Sequence, residues 1–422
     1  MKIKIQDFLD RLKRSTDTRV LASNFRYMVI LKFAGYFFPL LTLPYLARVI
    51  GVEGLGKIAF ASAIILWLHT ITDWGFSYTS TRNAAQHKDD VESLSTIFSV
   101  TIFSQLLLAT LSFLILILGI TFIPYLNENS GILLVTFLTI LGQIIYPQWF
   151  FQAIEKMKFI TYFGILSKIL FTLCVFLLIK EESDYILSPL LVAAGYFING
   201  ILSIYLIVFR WKISLKIPKL NQIFTSINES KDVFLNNLLP NFYDSVSVAL
   251  LGFWSGSNAN GIYDAGRKMI LVIQSLTDVL IQATFPFLSR KIYHHSLFAK
   301  VYLSLTLAAS ALSFVISPYV IAILFTKEFS SAVVVMRILS FSIFFRALNS
   351  VYGVNYLIIL GYTRPLRNIT LLSAVFGLVI SIPLIYFYSY IGVALTLVIS
   401  QAFLGVLVMK KALNTKAINK KT

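Results

Sequence analysis

Apolar runs of about twenty residues, parted by short polar clusters, recur along the whole chain. A helix rises ~1.5 Å per residue, so a run of ~20 crosses the ~30 Å hydrocarbon core of a bilayer. The pattern predicts twelve spans, at 24–49, 57–82, 94–123, 131–150, 160–180, 186–209, 231–255, 262–288, 298–325, 331–360, 364–387 and 390–410. The polar clusters then divide the chain into a basic N-terminal segment (1–23), a six-helix half (24–209), a basic linker containing Pro218 (210–230), a second six-helix half (231–410) and a basic tail (411–422).

Polar positions inside the spans change this picture most. Arg26, Lys32, Arg48, Lys168, Arg267, Lys268, Arg337 and Arg346 are basic, and Asp73, Asp244 and Asp278 are acidic; Asp264 stands beside a glycine turn. A charge near the bilayer centre costs roughly 2.5–3.5 kcal/mol on insertion scales, so it faces a wet cavity or a partner. The expected fold class is an all-α integral membrane protein, two pseudo-symmetric six-helix lobes around a central polar cavity. The basic surplus suggests an anionic cargo.

Composition agrees with this class. Of 422 residues, 57% are hydrophobic and 13% charged, where soluble domains carry about 25% charged residues. The formal net charge of +17 suggests nucleic acid only until its placement is read. Between spans, 25 Lys and Arg fall on the side of the N-terminus, against Lys57, Lys180 and Lys327 on the other. The positive-inside rule puts both termini in the cytoplasm, and the basic loops attract anionic membrane lipids; no nucleic acid is expected. Cys174 is the single cysteine, so no internal disulfide, CxxC or metal-ligand cluster exists. The N-terminus lacks the apolar core and cleavage site of a signal peptide. Tyr386, Phe387, Tyr388 and Tyr390 read as an interfacial belt at the outer face.

A shift of 205 residues superposes the halves. Gly51 falls on Gly256, Gly56 on Gly261, Ile65 on Ile270, Leu66 on Leu271, Thr72 on Thr277, Asp73 on Asp278 and Thr79 on Thr284. The glycines and the Thr-Asp pair carry the match, since apolar residues coincide by chance. Six spans per half give both halves the same topology, related by an axis along the membrane normal, with cargo at their interface. Pro39 and Pro44 in the first span and Pro240 in its repeat equivalent, the seventh, are hinge candidates or static kinks. The small residues Ala59, Ala61, Ser62 and Ala63 suit close helix packing.

The segments FPLLTLPYLARVIGVEGLGKIAFASA (38–63), ITDWGFSYTSTRNAA (71–85) and YPQWFFQAIEKMKFIT (146–161) resemble Wzx-type O-antigen flippases. These are polysaccharide exporters of the multidrug/oligosaccharidyl-lipid/polysaccharide superfamily. GIYDAGRKMILVIQ (261–274) and FPFLSR (285–290) match more loosely. The resemblance implies a V of two lobes opening to alternate sides of the bacterial inner membrane. It implies, as cargo, undecaprenyl-diphosphate-linked oligosaccharide moved from the cytoplasmic to the periplasmic leaflet. It also implies a polysaccharide polymerase and a chain-length regulator as partners. No cofactor is implied, and no GxxxxGK[ST] motif occurs.

Lys32 and Lys168 each lie eight residues into a span that begins at the cytoplasmic face, so both sit roughly 12 Å deep. They meet the diphosphate, snorkel, or pair with an aspartate. Arg26 anchors topology or meets cargo. Arg48 suits a helix C-terminus as well as cargo. Asp264 is three residues before Arg267 and four before Lys268, which permits a local ion pair; the resemblance places cations of the first and eighth spans near the cavity. Arg346, mid-span, is beyond easy snorkelling, and Arg337 is nearer the outer face. Asp73, Asp244 and Asp278 bind a coupling proton or sodium ion, or neutralise nearby lysines. His69, four residues before Asp73, relays protons with it or makes a structural hydrogen bond; the repeat has Gln274 there. A cation-coupled multidrug antiporter of the same superfamily is the alternative, opposed by the basic surplus. A membrane glycan polymerase or ligase is opposed by outer loops of only about seven to ten residues.

Overall fold

The computed structural model describes the backbone of residues 16–290 and 292–419, and the side chains of these except 16–22, 25, 236–244, 282, 283, 286, 287 and 416–419. Among the described residues the chain is helical, without strands. The helices that position the site are α1 (Thr16–Val49), α2 (Gly51–Asp73), α3 (Phe76–Gln86), α4 (Val91–Phe122), α5 (Ser130–Ile145), α6 (Met157–Leu178), α7 (Leu187–Tyr205), α8 (Leu220–Arg290), α9 (His295–Leu324), α10 (Ala332–Leu348) and α11 (Thr363–Asn419). A π segment, Asn349–Ile358, prolongs α10.

Nine helical stretches among the described residues are long and apolar enough to cross a membrane, against the twelve spans expected. Continuity accounts for one of the three missing spans, in α11; the other two fall on α8, which is not among the nine. Residues 364–410, expected as two spans, run through α11, interrupted at Ser389 (φ 52°, ψ −130°). Residues 231–288 run through α8, interrupted at Gly256 (φ 78°, ψ −179°). Positive φ is cheap for glycine and breaks the hydrogen-bond ladder without a loop. The expected span 57–82 is cut instead: Trp74 (φ 46°) and Gly75 (φ 83°) separate α2 from α3. The linker also differs from expectation, because helix resumes at Leu220.

The chain divides into two compact units. The first holds residues up to Tyr45, Leu68–Lys180 and Ile186–Leu235; the second holds Leu46–Trp67, Glu181–Tyr185 and Asn236 onward. Small residues bring helices together in the first. A Cβ at Gly142 would stand 2.6 Å from Tyr196 Cβ, and one at Gly200 would stand 2.6 Å from Ile145 Cγ2, so α5 and α7 touch nearly backbone to backbone. The YPQWFF segment makes an aromatic corner, with Phe150 and Phe151 fully buried and the Phe151 and Trp211 ring centroids 5.8 Å apart. The linker lies against α4: the Ser214 N–H donates to Ser95 Oγ (3.1 Å) and the Lys216 N–H to Ser99 Oγ (2.9 Å).

In the second unit a buried stripe of Thr306, Ser310, Ser313 and Ser317 runs along α9, and Ser310 Oγ donates to the Ser340 carbonyl of α10 (2.8 Å). Ala61 and Ala63 are buried, while Ser62 is exposed. Tyr386, Phe387 and Tyr388 are exposed, as an interfacial belt requires.

Candidate functional site

Lys32 and Lys168 stand on helices that touch. A Cβ at Gly164 of α6 would lie 2.6 Å from Leu31 Cδ1 of α1, and Thr161 Oγ1 donates to the Tyr27 carbonyl at 2.9 Å. Lys168 follows Gly164 by one turn, on the same face. Beside it, Ser167 donates to Asn199 Oδ1 (2.7 Å), tying α6 to α7. Lys168 is half-buried and makes no hydrogen bond or ion pair among the described residues. Higher on α1, Pro39 and Pro44 lie inside the helix, and Thr42 Oγ1 donates to the Phe38 carbonyl between them (3.2 Å). Arg26 is exposed near the start of that helix.

Asp73 ends α2 at the break. It accepts from Ser77 Oγ at 2.9 Å, across the two non-helical residues. His69 precedes it by a turn, and no hydrogen bond joins the two among the described residues. The break is clamped by α8: Trp74 Nε1 donates to the Ile227 carbonyl (2.9 Å), its ring stacks on Phe234 at 3.9 Å, and a Cβ at Gly75 would stand 2.8 Å from Val233 Cγ1. Thr79 and Ser230 hydroxyls meet at 2.7 Å. Nothing in the hydropathy announces this seat; Trp-Gly inside an apolar run is the signal that could have found it.

In the second unit α2 crosses α8. A Cβ at Gly56 would stand 1.7 Å from the Ser257 carbonyl oxygen, and one at Gly261 would stand 2.1 Å from that of Val52. Phe60, fully buried, meets Phe253 edge-on at 5.5 Å. Gly51 and Gly256, each with positive φ, turn the chain just before the crossing. The duplicated glycines are thus two devices, a turn and a close approach.

The cations of this unit have varied surroundings. Arg48 Nη2 donates to the Ile323 carbonyl at 3.4 Å, at the end of α9. Lys268 and Asp264 form the ion pair that their spacing allows. Arg346 grips Asp278, Nη2 to Oδ2 at 3.0 Å and Nε to Oδ1 at 3.5 Å, so this carboxylate faces an arginine rather than a lysine. Next to it, Gln274 Nε2 donates to Ser342 Oγ (2.9 Å) and Tyr302 OH to the Thr277 carbonyl (3.1 Å). The Arg337 guanidinium lies 5.3 Å from the Phe314 ring centroid. Arg267 is half-buried on α8. Asp244 and Pro240 fall among the residues whose side chains lie outside the described set. No group of three or more His, Cys, Asp or Glu among the described residues is placed to hold a metal ion.

Comparison with known proteins adds to this geometry. The family described as polysaccharide biosynthesis protein matches residues 21–292. A protein of Escherichia coli (strain K12) described as "Putative O-antigen transporter" is 26% identical over 412 residues, covering 96% of this chain and 99% of its own. One of the same description from Shigella dysenteriae is 27% identical over 394 residues, covering 92% and 98%. Among solved structures, lipid II flippase MurJ in an inward closed conformation aligns with a TM-score of 0.74 at 15% identity, over 92% of this chain and 87% of that one. An inward-facing multidrug resistance MATE family transporter of the MOP superfamily aligns at 0.60 and 16%, over 90% and 96%. At these identities the structural likenesses speak for the fold.

Proposed function

The chain belongs to the polysaccharide biosynthesis protein family, and from this premise we propose that it is a flippase for undecaprenyl-diphosphate-linked O-antigen or similar polysaccharide repeat units. It works in the bacterial inner membrane, with both termini in the cytoplasm, and moves its cargo from the cytoplasmic to the periplasmic leaflet. It is a transporter, not an enzyme; relatives matched along nearly their whole length carry transporter descriptions.

The observation that carries this reading is the pair of lysines on touching membrane helices. Each cation there is costly, and Lys168 has no carboxylate to offset it among the described residues. A diphosphate supplies the missing charge and accepts strong charge-assisted hydrogen bonds. Arg48, Arg267, Lys268 and Arg346, in the second unit, are further candidates for cargo contact. The halves 24–209 and 231–410 act as rocking lobes, with Pro39, Pro44 and Pro240 as bending points. Asp73, Asp244 or Asp278 takes a coupling proton or sodium ion, His69 assisting Asp73. The fold likeness to MATE transporters favours a second reading, cation-coupled drug efflux, against which the excess of basic over acidic residues in the spans weighs.

Complementation tests the proposal. In a strain that makes the lipid-linked repeat unit but lacks its flippase, this protein is expected to restore surface polysaccharide. Lys32→Ala, Arg267→Ala or Arg346→Ala should lower it at unchanged protein level. No surface polysaccharide, with protein in the membrane and repeat units synthesised, would overturn the proposal.

A further inference from the structure

In the second unit a cavity of about 210 Å³ lies between the first turns of α9, the π segment and the end of α11. Its polar lining is made of donors. Lys300 offers an ammonium, and Ser296, Tyr352 and Tyr356 offer hydroxyls; no Asp or Glu lines it. None of these four side chains makes a hydrogen bond or ion pair among the described residues. Tyr356 is only 7% exposed, packed with Leu357, Val408 and Ala412. An acceptor in the cavity would give these hydroxyls and the ammonium a hydrogen-bond partner.

His295, which also lines the cavity, packs against both tyrosines. His295 is buried, with Nε2 3.1 Å from the Val351 carbonyl. Its ring centroid is 5.8 Å from that of Tyr352 and 4.6 Å from that of Tyr356. A π-helical stretch is rare and clusters at functional sites, and this one carries both tyrosines. The remaining wall is aliphatic, including Leu303 and the half-exposed Leu413. The lining therefore combines donors that suit an anion with aliphatic surface that suits hydrocarbon. α9 and α11 are both long and apolar enough to cross a membrane. Basic pockets between membrane helices at the cytoplasmic surface hold acidic lipid headgroups.

We propose that this cavity binds the phosphate of an anionic phospholipid, its oxygens accepting from Lys300, Tyr352 and Tyr356 while an acyl chain lies along Leu303 and Leu413. The site is separate from the cargo cations and does not depend on what the protein transports. It makes the lipid a structural ligand of the second unit, one that steadies the packing of α9, α10 and α11.

The test uses the purified full-length chain in neutral detergent, titrated with phosphatidylglycerol, phosphatidylcholine or inorganic phosphate. Native mass spectrometry reads retained lipid and the melting temperature reads stabilisation. Phosphatidylglycerol should be retained and should raise Tm, phosphatidylcholine and inorganic phosphate much less. Lys300→Gln should weaken phosphatidylglycerol about fivefold, as the loss of one cation near a lipid phosphate predicts. Tyr352→Phe, which keeps the ring and its packing, should weaken it as well. Lys410→Gln, with the same charge change outside the lining, should leave it unaltered. Equal binding of the two lipids, equal loss in Lys410→Gln and Lys300→Gln, or stabilisation by inorganic phosphate as strong as by the lipid would overturn the proposal.

Discussion

Gly56 and Gly261 are the two points where helices α2 and α8 press backbone on backbone, and the contact is its own image. Gly56 faces the carbonyl of Ser257, and Gly261 faces that of Val52. Val52 and Ser257 are related by the same 205-residue shift that relates the glycines. Residue i meets j while the equivalent of i meets the equivalent of j, which is the signature of a two-fold interface. The duplication read from the sequence therefore has a physical meeting point.

A methyl group at that point has nowhere to go, since its nearest neighbours are backbone atoms. Gly56→Ala and Gly261→Ala are each expected to destabilise the protein by about 1–3 kcal/mol. The double variant should cost less than the sum, because the first substitution already parts the helices. Gly35→Ala, in open space, is the control. Thermal unfolding of the four variants checks this; equal Tm for Gly56→Ala and Gly35→Ala would contradict it.

Asp278 and Arg346 are about one quarter and two fifths exposed. Their coupling should exceed the 0.2–1 kcal/mol of surface pairs and fall short of the 3–5 kcal/mol lost on breaking a buried one. A double-mutant cycle with Asp278→Asn and Arg346→Gln should give about 1–2 kcal/mol. Asp73, whose partner is a serine hydroxyl, should behave differently: Asp73→Asn should leave Tm nearly unchanged and alter dependence on a proton or sodium gradient. A stable Asp73→Asn variant with full, still gradient-dependent transport removes Asp73 as the coupling site.

Trp74 secures the α2–α3 break through one hydrogen bond and one stacked ring. Trp74→Leu should cost about 2 kcal/mol, combining a lost hydrogen bond with a lost aromatic pair. Limited proteolysis should then cut faster within 212–219, the irregular stretch before α8. Unchanged cleavage would mean that the linker is held independently of the break.

Asp90 caps α4. Its carboxylate accepts from the Ser93 hydroxyl and from the Ser93 and Glu92 N–H groups, and the Ser93 hydroxyl bond above all holds its pKa below the ordinary carboxylate value. Because the folded value is the lower one, the stabilisation is present above about pH 4 and is lost as pH falls through the folded pKa. The Tm difference between wild type and Asp90→Asn should be constant near neutrality and shrink in acid. A difference that grows in acid would contradict the sign.

The spans were legible because twenty apolar residues have few alternatives to a membrane helix. The glycine repeats were legible because the same residue type returned in one register. Their separate jobs were not, since φ at Gly51 and contact distance at Gly56 leave no trace in composition. The Trp74–Gly75 break has no counterpart in the repeat, where Val279 and Leu280 continue the helix, so the duplication argued against it. The pairing of Asp278 with Arg346 joins residues 68 apart, and the same shift puts Leu141 where Arg346 stands; local spacing revealed only Asp264 with Lys268. The linker helix from Leu220 was masked by its charges, although Ile223 and Ser230 already mark a buried face.

Reconstitution tests the central claim most directly. Purified protein is placed in liposomes with a fluorescent undecaprenyl-diphosphate oligosaccharide in both leaflets, and a membrane-impermeant quencher of the glycan label is added outside. Protein-free liposomes should quench to about half and stop. Liposomes with the wild-type chain should quench nearly completely, and Lys32→Ala with Lys168→Ala should return the signal toward half at unchanged folding. Half-quenching with correctly folded wild-type protein, under imposed proton and sodium gradients alike, would contradict the account.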